Sequence, residues 1–302
     1  MRESVDVPGT LPKLQTPELS ESQSPNRRTE ESVPQSRSKR VAGGNNKGGV
    51  GKSGWVANVA AALAEEGCRV LVVDVDPQAN LSRRMGRPYR KENPLVTTSE
   101  VIKSGEPGVA ADAIVPCGWG GIYAQRIDII PSRFDLENRI SEAAVIGARG
   151  RLARALQGAD DGYDFTLFDC QPSLGHLTQV ALAAARYAVA LVEPEYDGVE
   201  GAVRFRDFVA DEVNRTEMGN PDLTFAAAVP SLVDGRLAAH AHHVGTLPGI
   251  FGAEKVWEPI PARSVVKDAA DEALPLAELG SRATEMREVY KAAAQRMIKE
   301  FA

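Results

Sequence analysis

The chain has 302 residues, of which 43% are hydrophobic, 25% charged and 6% aromatic, a balance that excludes collagen-like, coiled-coil and wholly disordered proteins. Thirty-five basic against 41 acidic residues give a formal net charge of −6, so any binding of nucleic acid by charge must come from a local patch. No run reaches the roughly 18–20 apolar residues of a membrane-spanning helix and no secretory signal follows Met1, so a cytoplasmic protein is expected.

Residues 1–40 scatter Pro8, Pro12, Pro17, Pro25 and Pro34 among serines and charges of both signs, with no apolar period. Such a segment cannot bury enough surface to offset its ordering entropy, and a disordered leader is expected. It reads as a solvated tail or a transient tether to DNA or a partner, being short and polar for an independent DNA-binding domain. Residues 41–302 form the second unit. Three cysteines, Cys68, Cys117 and Cys170, include no CxxC pair, so neither a disulfide framework nor a zinc site is indicated.

From Val41 the chain runs VAGGNNKGGVGKSGWVANVAAALA: a strand, a glycine-rich turn, then a helix expected over 52–66. Further strands are predicted at 69–75, 126–130, 163–168, 187–192, 225–229 and 255–260, and helices at 135–156, 176–185, 198–213 and 281–301. Several strands are apolar on both faces, as in a sheet covered on both sides. The fold class expected is therefore α/β, a doubly wound, mainly parallel sheet with helices on both faces. Residues 86–124, rich in Gly and Pro, are left as loops with a short helix at 98–103.

The glycine-rich turn carries most of the chemistry. Gly48, Gly49, Val50 and Gly51 let backbone N–H groups converge on phosphate oxygens at a helix N-terminus. Lys52 then reaches the β- and γ-phosphates, and the Ser53 hydroxyl is placed to ligate Mg²⁺. The strict GxxxxGK[ST] pattern is broken by Asn46 in its first glycine position, and Lys47 stands at the start of the loop instead. The second predicted strand ends in Asp74 and Asp76, within DVDPQAN. Another, YDFTLF, ends in Asp169, the signature of a carboxylate that holds Mg²⁺, usually through water. A plain reading of Asp74 and Asp76 as strand-end and turn-capping residues stays open.

NNKGGVGKS resembles the deviant Walker A motif of the ParA/MinD ATPases, and DVDPQAN is similar to ParA proper. DCQPSLG, with Gln171 replacing the proline usual there, is also similar, as are Glu193-Pro194-Glu195-Tyr196 with Gly201, and Asn220-Pro221-Asp222-Leu223. The resemblance spans about residues 40–300. It implies that Lys47 contacts the ATP of a second subunit across a sandwich dimer. It further implies that Asp76 positions the attacking water and that Asp74 supports the Mg²⁺ shell. ATP and Mg²⁺ are the cofactors it implies. The partners implied are a second copy of the chain, a ParB-like centromere-binding protein and nonspecific DNA, with association to the nucleoid in the ATP-bound form.

DNA contacts of that kind would fall to Arg204, Arg206, Arg215, Arg236, Arg263 or Lys267, each of which also reads as an ordinary solvated charge. The AHAHH run with His240, His242 and His243 lacks ligands at metal spacing and reads as a surface helix with histidines. The last helix places Met286, Val289, Tyr290, Ala293, Met297 and Phe301 on one side. Packing against the sheet is expected of it, not lipid binding, because it has few lysines. The function expected is ATP-dependent DNA partitioning. The rivals are an ATPase that positions a protein cargo, a MinD-like membrane regulator, a tyrosine kinase of the same loop type, and a nucleotide switch with negligible hydrolysis.

Overall fold

The computed structural model describes residues 38–301. All of the expected leader except its last three residues lies outside the described residues. Lys39 and Arg40 open the first strand, so the fold starts slightly earlier than the expected boundary.

The first half of the chain forms β1 (Lys39–Gly44), α1 (Lys52–Glu65), β2 (Val70–Val75), α2 (Asn80–Arg84), α3 (Thr98–Ser104), β3 (Val115–Pro116), α4 (Gly121–Arg126) and β4 (Ile127–Ile130). There follow α5 (Arg151–Ala155), β5 (Phe165–Cys170), α6 (His176–Ala184), β6 (Tyr187–Val192), α7 (Tyr196–Ala210), α8 (Glu212–Glu217) and β7 (Thr224–Pro230). The chain closes with α9 (Ala238–Phe251), α10 (Ser264–Asp271) and α11 (Thr284–Glu300). One seven-stranded sheet runs β3-β4-β2-β5-β1-β6-β7, parallel throughout except for the short edge strand β3.

Strand alternation divides the core in two. In β2, Val70 and Val72 join the cluster under α1 and α11, whereas Leu71 and Val73 join the one under α5, α6 and α7. Both faces of the sheet are thereby covered, and the doubly wound architecture follows. The apolar side of α11 is buried as expected, with Met286, Tyr290 and Met297 in the first cluster and Phe301 stacked on Tyr187 at 4.3 Å.

Three predicted elements differ. The helix expected over 198–213 is broken at Asp211, whose extended backbone ends α7 and whose side chain caps α8. The helix expected over 135–156 is a 3-10 segment, Phe134–Ala144, then a turn through Gly147 and Gly150, and only then α5. The strand expected over 255–260 is an extended segment touching β7 at a few points: the Trp257 and Ile260 amides donate to Ala228 and Pro230. Pro259 and Pro261 offer no amide hydrogen there, so a continuous ladder cannot form.

Candidate functional site

The carboxyl ends of β1, β2 and β5 meet beside the first turn of α1, where open α/β sheets place their sites. Gly49 and Gly51 have φ of +82° and +85°, a left-handed conformation that strains any residue with a Cβ. Those two positions shape the loop. Its far side is tied down by the Ser231 hydroxyl, which donates to the Val50 carbonyl at 2.8 Å.

Lys52 is buried, and its ammonium donates to the Lys47 carbonyl at 3.1 Å. Burial lowers its pKa, against the pull of Asp169 and, more weakly, Asp76. Lys47 is held differently. Its ammonium donates to Glu193 at 3.0 Å and Glu195 at 3.1 Å, in the turn between β6 and α7. Burial opposes its charge, yet the two glutamates prevail and keep its pKa above the ordinary lysine value.

Asn45, just before the loop and almost fully buried, is a site residue that sequence reasoning missed. Its amide donates to the Leu191 carbonyl at 2.7 Å and the Gly198 carbonyl at 3.1 Å, while its side-chain oxygen accepts from the Lys47 amide at 2.8 Å. A Cβ at Gly201 would lie 2.4 Å from that oxygen, so only glycine lets α7 approach. The available signal was a polar residue at the end of an apolar strand, a position that seldom lacks a structural partner.

Parallel pairing of β2 with β5 sets Asp74 opposite Asp169. Both are fully buried. Asp74 is saturated by the protein itself: Ser82 donates its amide at 2.9 Å and its hydroxyl at 2.6 Å, and the Asp76 amide donates at 3.2 Å. Burial still pushes its pKa up to about 6, against those hydrogen bonds. Asp169 is the opposite case, since neither of its oxygens meets a donor at hydrogen-bonding geometry. Burial, then the nearby Asp74, raise its pKa well above the usual carboxylate range, against the Ser53 hydroxyl and Lys52. A buried carboxylate left this way costs free energy unless a cation compensates it. Asp169 with Ser53 therefore fits a divalent ion bound beside the phosphates. Asp74, expected to support that ion, has its carboxylate occupied by the protein's own donors.

Asp76 sits one turn beyond, buried, with one carboxylate oxygen accepting from the Gln78 amide at 2.9 Å. Gln171 donates to the Ser173 hydroxyl at 3.0 Å and so braces the turn in which a proline was expected.

The other candidates have partners of their own. Arg204 pairs with Glu200, Arg206 with Asp207, Arg236 with Asp234 and Arg263 with Glu285, while Arg215 donates to the Pro221 carbonyl. His240 is buried and accepts from the Asp234 amide at 3.0 Å, and His242 lies edge-on to His243.

A family described as an AAA domain matches residues 38–225. Uncharacterised proteins of Mycobacterium tuberculosis are 33% identical over 73% of this chain, and the match spans 66% of their own length. The chromosome-partitioning ATPase Soj of Thermus thermophilus is 35% identical over 74% of this chain and 81% of Soj. Among solved structures, the ATP complex of a McdA variant from Cyanothece superposes with a TM-score of 0.75 at 20% identity, covering 88% of this chain and 98% of that one. A Mycobacterium smegmatis protein described as cobyrinic acid a,c-diamide synthase, with bound ADP and magnesium, gives 0.68 at 28% identity, covering 88% and 97%. The family match and these relatives lead to one conclusion: the chain belongs to the ParA family of partition ATPases.

Proposed function

We propose that this protein is a Mg²⁺-dependent ATPase that partitions DNA through a nucleotide-bridged dimer. The observation that carries the reading is Asp169, fully buried beside Lys52 and Ser53, with neither oxygen meeting a donor at full hydrogen-bonding geometry. Residues Gly48 to Ser53 would cradle the triphosphate of ATP. Ser53 and Asp169 would hold the Mg²⁺, which when bound screens the phosphate charge.

Lys52 supplies positive charge within the subunit. Lys47 must leave Glu193 and Glu195 to reach the nucleotide of a second copy, so dimerisation exchanges two carboxylates for phosphate oxygens as its partners. Asp76 orients and deprotonates the attacking water, and loss of the γ-phosphate removes what Lys47 was bridging. DNA would bind the closed dimer through basic side chains late in the chain, and a ParB-like partner would accelerate hydrolysis.

The test is Lys47→Ala, which abolishes ATP-dependent dimerisation in sedimentation and ATP-dependent DNA retention in filter binding. Unchanged behaviour in both assays refutes the proposal. A second reading keeps the ATPase cycle but gives it a protein cargo. It is favoured by the pairing of Arg204, Arg206, Arg236 and Arg263 with carboxylates of their own chain. In that case Lys47→Ala still loses dimerisation, and the wild-type dimer retains no DNA.

A further inference from the structure

Four buried residues near the end of β2 close a ring of hydrogen bonds. The Asp76 amide donates to Asp74 Oδ1 at 3.2 Å, and the Ser82 hydroxyl donates to Asp74 Oδ2 at 2.6 Å. The Ser132 amide donates to the Ser82 hydroxyl oxygen at 2.9 Å, and the Ser132 hydroxyl donates to the Asp76 carbonyl at 2.8 Å. Ser82, Ser132 and Asp74 are wholly inaccessible and Asp76 nearly so. The ring joins the end of β2, the helix α2 and the segment that follows β4.

We propose that Ser82 and Ser132 are positioning residues for Asp76, with Asp74 as the acceptor that closes the ring. The inference rests on Asp76 being the hydrolytic carboxylate, as proposed above. Its physical basis is that the backbone is gripped on both sides of the Asp76 Cα, by Asp74 at the N–H and by Ser132 at the C=O. The Ala79 amide adds a second donor to that carbonyl at 2.9 Å. With the backbone fixed, the side chain has little freedom. One carboxylate oxygen is engaged by Gln78, and the other takes no donor among the described residues.

A general base must hold its oxygen within a fraction of an ångström of the productive position, and that precision is set by the groups behind it. Two hydroxyls and a carboxylate in a dry interior stabilise less than a well-packed apolar cluster would, unless all are satisfied. Here all are satisfied, and their one shared product is the placement of the Asp76 peptide. Asp74 thereby acquires a role that does not require it to touch a metal.

The experiment measures ATP hydrolysis and nucleotide affinity in Ser132→Ala, Ser82→Ala, Ser132→Thr and Asp76→Asn, each checked by thermal melting. Removing either ring hydroxyl lowers kcat between about tenfold and a hundredfold while the Kd for ATP stays within about twofold. ATP-dependent dimers then persist longer than in the wild type. The Ser82→Ala/Ser132→Ala double variant loses little more than either single one, because both break the same ring. Ser132→Thr, which keeps the hydroxyl, recovers most of the rate lost in Ser132→Ala and covers the case in which an alanine variant does not fold. A wild-type kcat in the folded alanine variants, or a parallel loss of kcat and ATP affinity, overturns the positioning role while leaving Asp76 as the hydrolytic group. A wild-type rate in Asp76→Asn overturns both.

Discussion

The carboxyl ends of β2 and β5 are neighbours in the sheet, at the same level, each closed by a fully buried aspartate. One of them, Asp74, accepts three hydrogen bonds from its own chain, whereas Asp169 has only the Ser53 hydroxyl beside it and neither oxygen meets a donor at full hydrogen-bonding geometry. The same residue type at matched depth thus serves two ends. A carboxylate surrounded by donors is held by the protein itself, while one short of donors fits the cation proposed above. Burial alone does not separate the two; the partners do.

That contrast can be broken by substitution. Asp169→Ala lowers Mg²⁺-dependent ATP hydrolysis on the order of a hundredfold, with a loss of urea-unfolding stability of no more than about 1 kcal/mol, because a buried carboxyl short of donors contributes little to the fold. Asp74→Ala does the reverse in stability: it strands three donors and costs about 3 kcal/mol in the same titration. If both variants shift stability equally, the distinction between the two carboxylates fails.

The contrast sharpens at the loop. Gly201→Ala drives a Cβ into Asn45, costs about 1–3 kcal/mol in thermal or urea unfolding and weakens ATP binding through the displaced loop. The smallest effect belongs to the partly exposed lysine. Replacing Glu193 and Glu195 with glutamine frees Lys47 from ion pairs worth at most about 1 kcal/mol. The ATP concentration for half-maximal dimerisation, read by sedimentation, therefore falls by no more than about fivefold.

Much of this was legible in the amino-acid order, for reasons that particular residues make clear. The run from Val41 to Ser53 announces a strand, a loop and a helix because glycine, lysine and serine at that spacing have few other uses. Strands such as β5 and β6 are apolar on both faces, and only a doubly covered sheet buries both. By contrast only the start of α9 is legible, in its histidine run, since Gly245, Pro248 and Gly249 disguise the rest of the helix. The region 135–156 was read as one helix, but its glycines break it where the segment turns back toward α6. Ser132 is illegible for a different reason: a lone polar residue beyond a strand end has no period, and its partners Asp76 and Ser82 lie some 50 residues away in the chain. The leader, residues 1–37, lies outside the described residues, and the expectations for it stay as they were.

The tight seat of Gly201 against Asn45 has a mechanical consequence. With no slack between them, the start of the loop and the first turns of α7 cannot shift separately. The Arg206 side chain, farther along the same helix, grips the Ile250 carbonyl of α9 at 2.6 Å. Were the loop to shift on taking up the nucleotide proposed above, α7 would carry that shift as a stiff rod to α9 on the outer flank.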